Sequence, residues 1–231
     1  MNATRPSDGP RQLALALDHA ESFAREDFLE GPSNAAALAL LSRWPDWPDR
    51  AVTLIGPEGS GKSHLAAIWA ADAGARFVAA RALGETDLPA MLATGALVVE
   101  DLVDGSFDER QLFHLLNLTR EQSGHLLLTA RVAPALFDIG IRDLASRLRV
   151  LPVASLTEPD DAMLRAVIVK LCADRQMAID NALLDYIVTR IERSVPAARA
   201  AVTLLDHEAL RLKRPLTRAL ASEVLRGPAE G

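Results

Sequence analysis

One cysteine in 231 residues leaves no partner for an internal disulfide. Cys172 lies in a helical apolar pattern, RAVIVKLCAD (165–174), where a small buried side chain is expected rather than a reactive thiol. The N-terminus has no apolar signal region. No apolar run reaches the roughly 18 residues that a bilayer span needs, and AMLATGALVV (90–99) is cut by Thr and Gly. A cytoplasmic protein without a membrane segment is expected. Aromatic residues are only 4% of the chain while hydrophobic residues reach 49%. The core is then built from Ala, Leu and Val, which suits an α/β or helical protein better than an all-β one. Basic excess is also missing: 25 Lys and Arg against 31 Asp and Glu give a net charge of −6. No general field draws nucleic acid, and direct sequence-specific DNA binding is not expected.

What is present is a rhythm. Five short apolar runs, AVTLI (51–55), ARFVAA (75–80), ALVVED (96–101), HLLLTA (125–130) and VLPVASL (150–156), are separated by helix-length gaps. That spacing predicts a five-stranded parallel sheet covered by helices on both faces. SHLAAIWAADAG reads as a helix ended by Gly74, and DERQLFHLLNLTREQSG as one capped near Asp108 and closed by Gly124. SRWPDWPDR (42–50) is a Pro-punctuated packing loop. After residue 156 only helical patterns remain, opened by TEPDD as a capping box of Thr157 with Asp160, then by Asp180 as a cap. The expected organisation is a tail (1–21), an α/β unit (22–156) and an all-helical lid (157–231).

Between the first run and the first long helix stands GPEGSGKS (56–63), which matches G-x-x-x-x-G-K-[S/T] in the context that motif requires. Gly56, Gly59 and Gly61 let backbone N–H groups face phosphates, and the following helix points its positive end at the same charge. Lys62 should reach the β and γ phosphates of ADP or ATP, and Ser63 should ligate Mg²⁺. Pro57, Glu58, Ser60 and His64 belong to the same cofactor-contacting stretch. A metal site also wants a carboxylate on a neighbouring strand tip. ALVVED supplies Glu100 toward Mg²⁺ and Asp101 to polarise water, although a first acid one methylene longer than Asp can displace the metal or its water.

A phosphate loop on a five-stranded unit followed by a helical lid resembles an AAA+ module, and several stretches resemble the DnaA replication-initiator family. DFLEGPSN (27–34) is similar to the segment before that family's first helix, which places Phe28 beside the adenine. GKSHL continues the loop as it does there. RDLASRL (142–148) is similar to the arginine-finger box and implies Arg147 as a finger acting in trans on a neighbour's nucleotide. Departures accompany the resemblance. The chain ends at LRGPAEG, where an initiator is expected to continue into a DNA-binding domain. Arg131 in LTAR stands where the initiator has an acid, leaving Thr129 as the nearby polar group. Pro196 stands where the lid motif has its sensor arginine, with Arg199 the nearest substitute. These changes weaken hydrolysis in cis and keep the group that acts on another molecule. Two other readings stay open: a self-sufficient ATPase of helicase-loader type, and a small-molecule kinase.

QLALAL (12–17) completes the pattern. Six alternating residues in a polar tail form no sheet alone and need an edge or groove supplied by a partner. Short initiator relatives resemble the DnaA regulatory inactivator, or Hda, family, whose glutamine-led N-terminal motif docks on the DNA polymerase sliding clamp. By that resemblance Gln12 enters a polar notch and Leu13, Leu15 and Leu17 are apolar anchors. Leucines worth about 1.5 to 3 kcal/mol each, less the cost of ordering the tail, give micromolar docking. An oligomer of this chain would gain by avidity on a ring with several grooves. The resemblance implies a replisome-associated regulator that acts on DnaA to prevent re-initiation.

Overall fold

In the computed structural model of the protein, residues 23–225 are described. Their order is α1 (Ala35–Leu41), β1 (Ala51–Ile55), α2 (Lys62–Ala73), β2 (Arg76–Ala79), α3 (Leu88–Leu92), β3 (Ala96–Leu102), α4 (Glu109–Glu121), β4 (His125–Ala130), α5 (Arg142–Val150) and β5 (Val153–Ser155). Then follow α6 (Asp161–Asp174), α7 (Asn181–Val188), α8 (Val195–Leu212) and α9 (Arg218–Val224). The five strands make one parallel sheet in the order β2-β3-β4-β1-β5. The parallel sheet expected from the apolar runs is therefore present. Among the described residues no helix is long and apolar enough to cross a membrane.

Side chains alternate across the pleat, so each central strand feeds two cores. Leu97, Val99, Leu126 and Leu128 point to one face, where Leu112, Leu115, Leu144 and Leu148 of α4 and α5 cover them. Val52, Leu54, Val98 and Leu127 point to the other, against Leu38 and Leu41 of α1 and Leu65 and Trp69 of α2. Burial on both faces is why these strands read as continuous apolar runs.

The last run departs from expectation. Val150 closes α5, and Leu151 turns extended (φ −62°, ψ 137°) because the residue before a proline is pushed out of the helical region. The strand therefore holds only Val153–Ser155, not 150–156. Ala80 likewise leaves β2 for a 3-10 turn over Ala80–Glu85.

The four helices α6–α9 enclose a core of their own, around Leu164, Ile168, Leu183, Ile187, Val202 and Leu205. Asp160, Asp180, Ser194 and Thr217 cap the four N-termini by accepting a backbone N–H three residues on, each worth about 1 kcal/mol. Thr157 takes no part in the first cap, because its N–H donates to Ser33 O instead. Cys172 is buried in this core, and burial raises its thiol pKa, which suits an inert side chain.

Residues 42–50 pack at the end of the sheet where the strands begin. Trp47 stacks on Trp69 at 4.9 Å, and His125 meets Trp44 and Trp47 edge-on, each at 5.9 Å.

Candidate functional site

The opposite end of the sheet carries the chemistry, as the carboxyl ends of parallel strands usually do. Ile55 ends β1, the loop runs from Gly56, and Gly61 caps α2, which begins at Lys62. Gly56 lies so close to β5 that a Cβ there would stand 2.8 Å from Leu156 O. Gly59 has φ +71°, and a Cβ on it would meet Ser194 of the lid at 2.7 Å. Only glycine fits either position. Lys62 folds over the loop, its Nζ donating to Gly56 O at 2.8 Å and Pro57 O at 2.7 Å. Burial lowers its pKa, and Asp101 and Glu58 oppose that shift while Arg131 adds to it. Ser60 Oγ is buried with no hydrogen-bond partner. A cradle that a Cβ would fill, an ammonium at its rim and an unused buried hydroxyl fit a phosphate group. Ser63, in the first turn of α2, lines the same cleft.

Glu100 and Asp101 stand at the tip of β3, but the ladder is irregular there. Pairing with β4 skips from Val99 to Leu102, and Asp101 adopts φ +56°. Thr129 stabilises this bulge, its Oγ1 accepting from Asp101 N at 3.0 Å. Burial, then the charge of Asp101, raises the Glu100 carboxyl above its usual range. Among the described residues no group of three His, Cys, Asp or Glu is placed to hold a metal alone. Ser63 and Glu100 would hold Mg²⁺ only together with phosphate oxygens.

A cleft of about 470 Å³ opens from the loop toward the helical lobe. Phe28, Leu29, Met163, Val167 and Leu171 give it apolar walls, and Asn34, Ser63 and Arg199 polar ones. Arg199 is half-buried and makes no ion pair among the described residues. Pro196, one turn earlier, packs on the loop, where a Cβ on Gly59 would lie 3.3 Å from its Cδ. His64 anchors the segment leading into the cleft: its Nε2 is 3.0 Å from Ala24 O and its ring meets Phe23 and Phe28 edge-on. Lys170 of α6 ties down the same segment by bonding Asp27, and Asp174 of its own helix shares the ammonium.

The structure brings the loop, Ser63, His64, Phe28 and Arg199 to one cleft and sets Glu100 and Asp101 at the tip of β3, separated from β1 by β4. It does not turn Arg147 outward. That side chain lies on its own subunit, with Nη1 donating to Asn117 Oδ1 at 2.5 Å and the guanidinium 4.8 Å from the centre of the Phe113 ring. Asp143, its neighbour on α5, makes no ion pair with it among the described residues. Gln12, Leu13, Leu15 and Leu17 fall outside the described residues. One contact had no signal in the sequence. Arg131 Nη2 bonds Glu58 Oε2 at 2.6 Å, joining the end of β4 to the loop across 73 positions.

No family model matches this chain, and neither does any curated protein sequence. Solved structures do resemble it. Domain III of the Thermotoga maritima replication initiation protein DnaA superposes with a TM-score of 0.72 at 17% identity, covering 90% of this chain and 98% of that one. AMPPCP-bound DnaA from Aquifex aeolicus gives 0.64 at 17% identity, over 82% of this chain and 67% of that one. The RuvB Holliday junction branch migration motor of Thermotoga maritima gives 0.63 at 17% identity, over 82% and 65%. The chain thus spans about two thirds of the longer DnaA and RuvB chains and nearly all of the isolated DnaA domain. With its five parallel strands, flanking helices and helical lobe, the chain has the fold of an AAA+ P-loop module.

Proposed function

We propose that this protein is a nucleotide-binding regulator of replication initiation, of the Hda kind. It holds ADP or ATP with Mg²⁺ in the cleft, docks on the DNA-loaded sliding clamp through residues 12–17, and presents Arg147 to ATP held by DnaA. The observation that carries this reading is an asymmetry at the phosphate end. The cradle is intact, yet the lid position beside it holds Pro196, which has no charge, and the paired acids begin with Glu100, whose carboxyl burial and Asp101 raise above its usual range.

Binding follows from the loop. The loop leads into the start of α2, whose positive end favours phosphate, and Lys62 would exchange its two loop carbonyls for phosphate oxygens. Ser63 and Glu100 would hold the Mg²⁺ that neutralises phosphate charge. The lid meets the loop where Val195 N donates to Gly59 O at 3.4 Å. Phe28 and Met163 exclude water from the far end of the cleft. Thr129 Oγ1 accepts from the Asp101 backbone and so holds the strand tip that carries the paired acids. An arginine supplied in trans is worth about 10³ to 10⁵ in phosphoryl transfer, enough to make α5 the acting element.

The test is hydrolysis of DnaA-bound ATP with and without this protein and DNA-loaded clamp. Stimulation that needs the clamp is expected, and Arg147→Ala should abolish it. Strong turnover by the purified chain alone, with no effect on DnaA, would instead identify a self-sufficient ATPase of helicase-loader type.

A further inference from the structure

We infer that residues 13–17 pair with β5 of their own chain as a sixth, parallel strand, with their leucines lying over Val150 and Val153. The pairing stands on the fold alone. Its consequence, that the segment cannot lie on β5 and on the clamp at once, rests on the docking part of the proposed function.

An open edge comes first. β5 ends the row β2-β3-β4-β1-β5, and among the described residues no strand lies beyond it. Pro152 O accepts from Thr53 N, Leu156 N donates to Ile55 O, and Ala154 pairs with Leu54 between them. Alternate residues of a parallel strand bond the same neighbour, so the N–H and C=O groups of Val153 and Ser155 face outward. A row of free backbone groups is a template for another strand, and Val-Ala-Ser carries no charge or proline to blunt it. Val153 is exposed at this edge, and Val150, three residues before it, is 70% exposed.

Pattern, reach and hand name the occupant. In an extended QLALAL the three leucines share one face, and Gln12, Ala14 and Ala16 the other. Val153 stands beside Thr53, which points away from the face where Val52 and Leu54 pack. Leucines on that side cover the two exposed valines, which sets the register. The described residues begin beside the carboxyl end of β5. Phe23 and Phe28 both meet the His64 ring, and a Cβ on Gly61 would lie 3.8 Å from both Phe28 Cε2 and Leu156 Cδ2. The stretch from Leu17 to Phe23 spans up to about 20 Å, enough to reach the edge. A strand that finishes at that end runs parallel to β5. Its crossover to β1 would pass through α1, which lies on the same face as α2. It moves across the sheet in the same direction as β1-α2-β2 and so has the same hand, as parallel crossovers nearly always do.

The experiment is amide hydrogen exchange on the full chain, read residue by residue by NMR. With the leucines on the Val153 side, the alanine amides bond β5 and the leucine amides point to solvent. Val153, Ser155, Ala14 and Ala16 should therefore exchange slowly, and Leu15 fast. Ala14→Pro removes a pairing N–H from the tail, and Ser155→Pro removes one from the edge without touching a bond to β1. Each should speed exchange in the other segment about tenfold. Fast exchange throughout 13–17 in the natural chain, or slow exchange that Ser155→Pro leaves unchanged, overturns the pairing. So does protection lost on dilution, the mark of a second copy's tail. Binding to the sliding clamp, measured alongside, separates the two claims. Ser155→Pro should bind severalfold tighter, because the resting place is gone. If Gln12→Ala and the natural chain are captured equally, the docking reading fails while the exchange pattern still decides the pairing.

Discussion

Arg147 donates to Asn117 across the gap between α5 and α4, with the ring of Phe113 beneath its guanidinium. For the proposed action in trans, Arg147 would have to leave both contacts before it reached another molecule. A side-chain hydrogen bond and a cation–π contact together hold it by about 1 to 2 kcal/mol. Asn117→Ala removes the stronger tie. Stimulated hydrolysis of DnaA-bound ATP should then rise severalfold at limiting amounts of this protein. A fall in that assay would show that Asn117 aims the arginine rather than restrains it.

Gly59→Ala should uncouple the lid from the loop. The new Cβ would sit 2.7 Å from Ser194 at a backbone angle of φ +71°, so strain and collision together cost about 1 to 3 kcal/mol. Gly74→Ala is the control, since φ is +64° there and nothing lies within 4 Å. Thermal melting should show a larger loss for Gly59→Ala, and only that variant should lose nucleotide affinity. Equal losses in melting and unchanged binding would mean the lid tolerates the displacement.

Lys170 of α6 joins the segment before α1 through Asp27 and also bonds Asp174 of its own helix, and those hydrogen bonds raise its pKa above 10.5. The sign is that of a raised amine. Its contribution is complete below the unfolded value and disappears only as pH climbs through the folded one, so it is fully present at neutral pH. Lys170→Met should speed nucleotide release measured by stopped flow, because this tie closes one wall of the cleft. Unchanged release would confine the bridge to surface packing.

His125 supplies a pH dependence of the opposite sense. Burial between Trp44 and Trp47 lowers its pKa below 6.5, against the pull of its bond to Pro45 O. The folded state prefers the neutral ring, so stability is complete above pH 6.5 and declines as pH falls through the lowered value. Urea midpoints taken from pH 7.5 to 5 should decrease, and His125→Phe should flatten that trend. A natural chain with midpoints unchanged across the range would show that the ring is not desolvated as placed.

Much of this was legible in one dimension. GPEGSGKS between an apolar run and a helix fixes the loop, because glycine spacing, lysine and strand–turn–helix order are local. The sheet was legible too, since strands covered on both faces are apolar throughout. Local reading failed where distant atoms decide. Thr157 looks like a cap until Ser33 takes its N–H, leaving Asp160 as the cap. Val150 looks like strand because it is β-branched, yet α5 holds it until Pro152 ends the helix. Glu58 and Arg131 stand 73 positions apart, and the turn of Arg147 onto Asn117 depends on how α4 and α5 pack. Neither leaves a trace in sequence spacing.

All three tryptophans of the chain, Trp44, Trp47 and Trp69, gather at the strand-start end of the sheet, and none lines the cleft. Intrinsic indole emission from this protein is therefore a reporter of global unfolding that stays dark to ligand occupancy. Optical titration of the site calls for a dye carried on the incoming molecule.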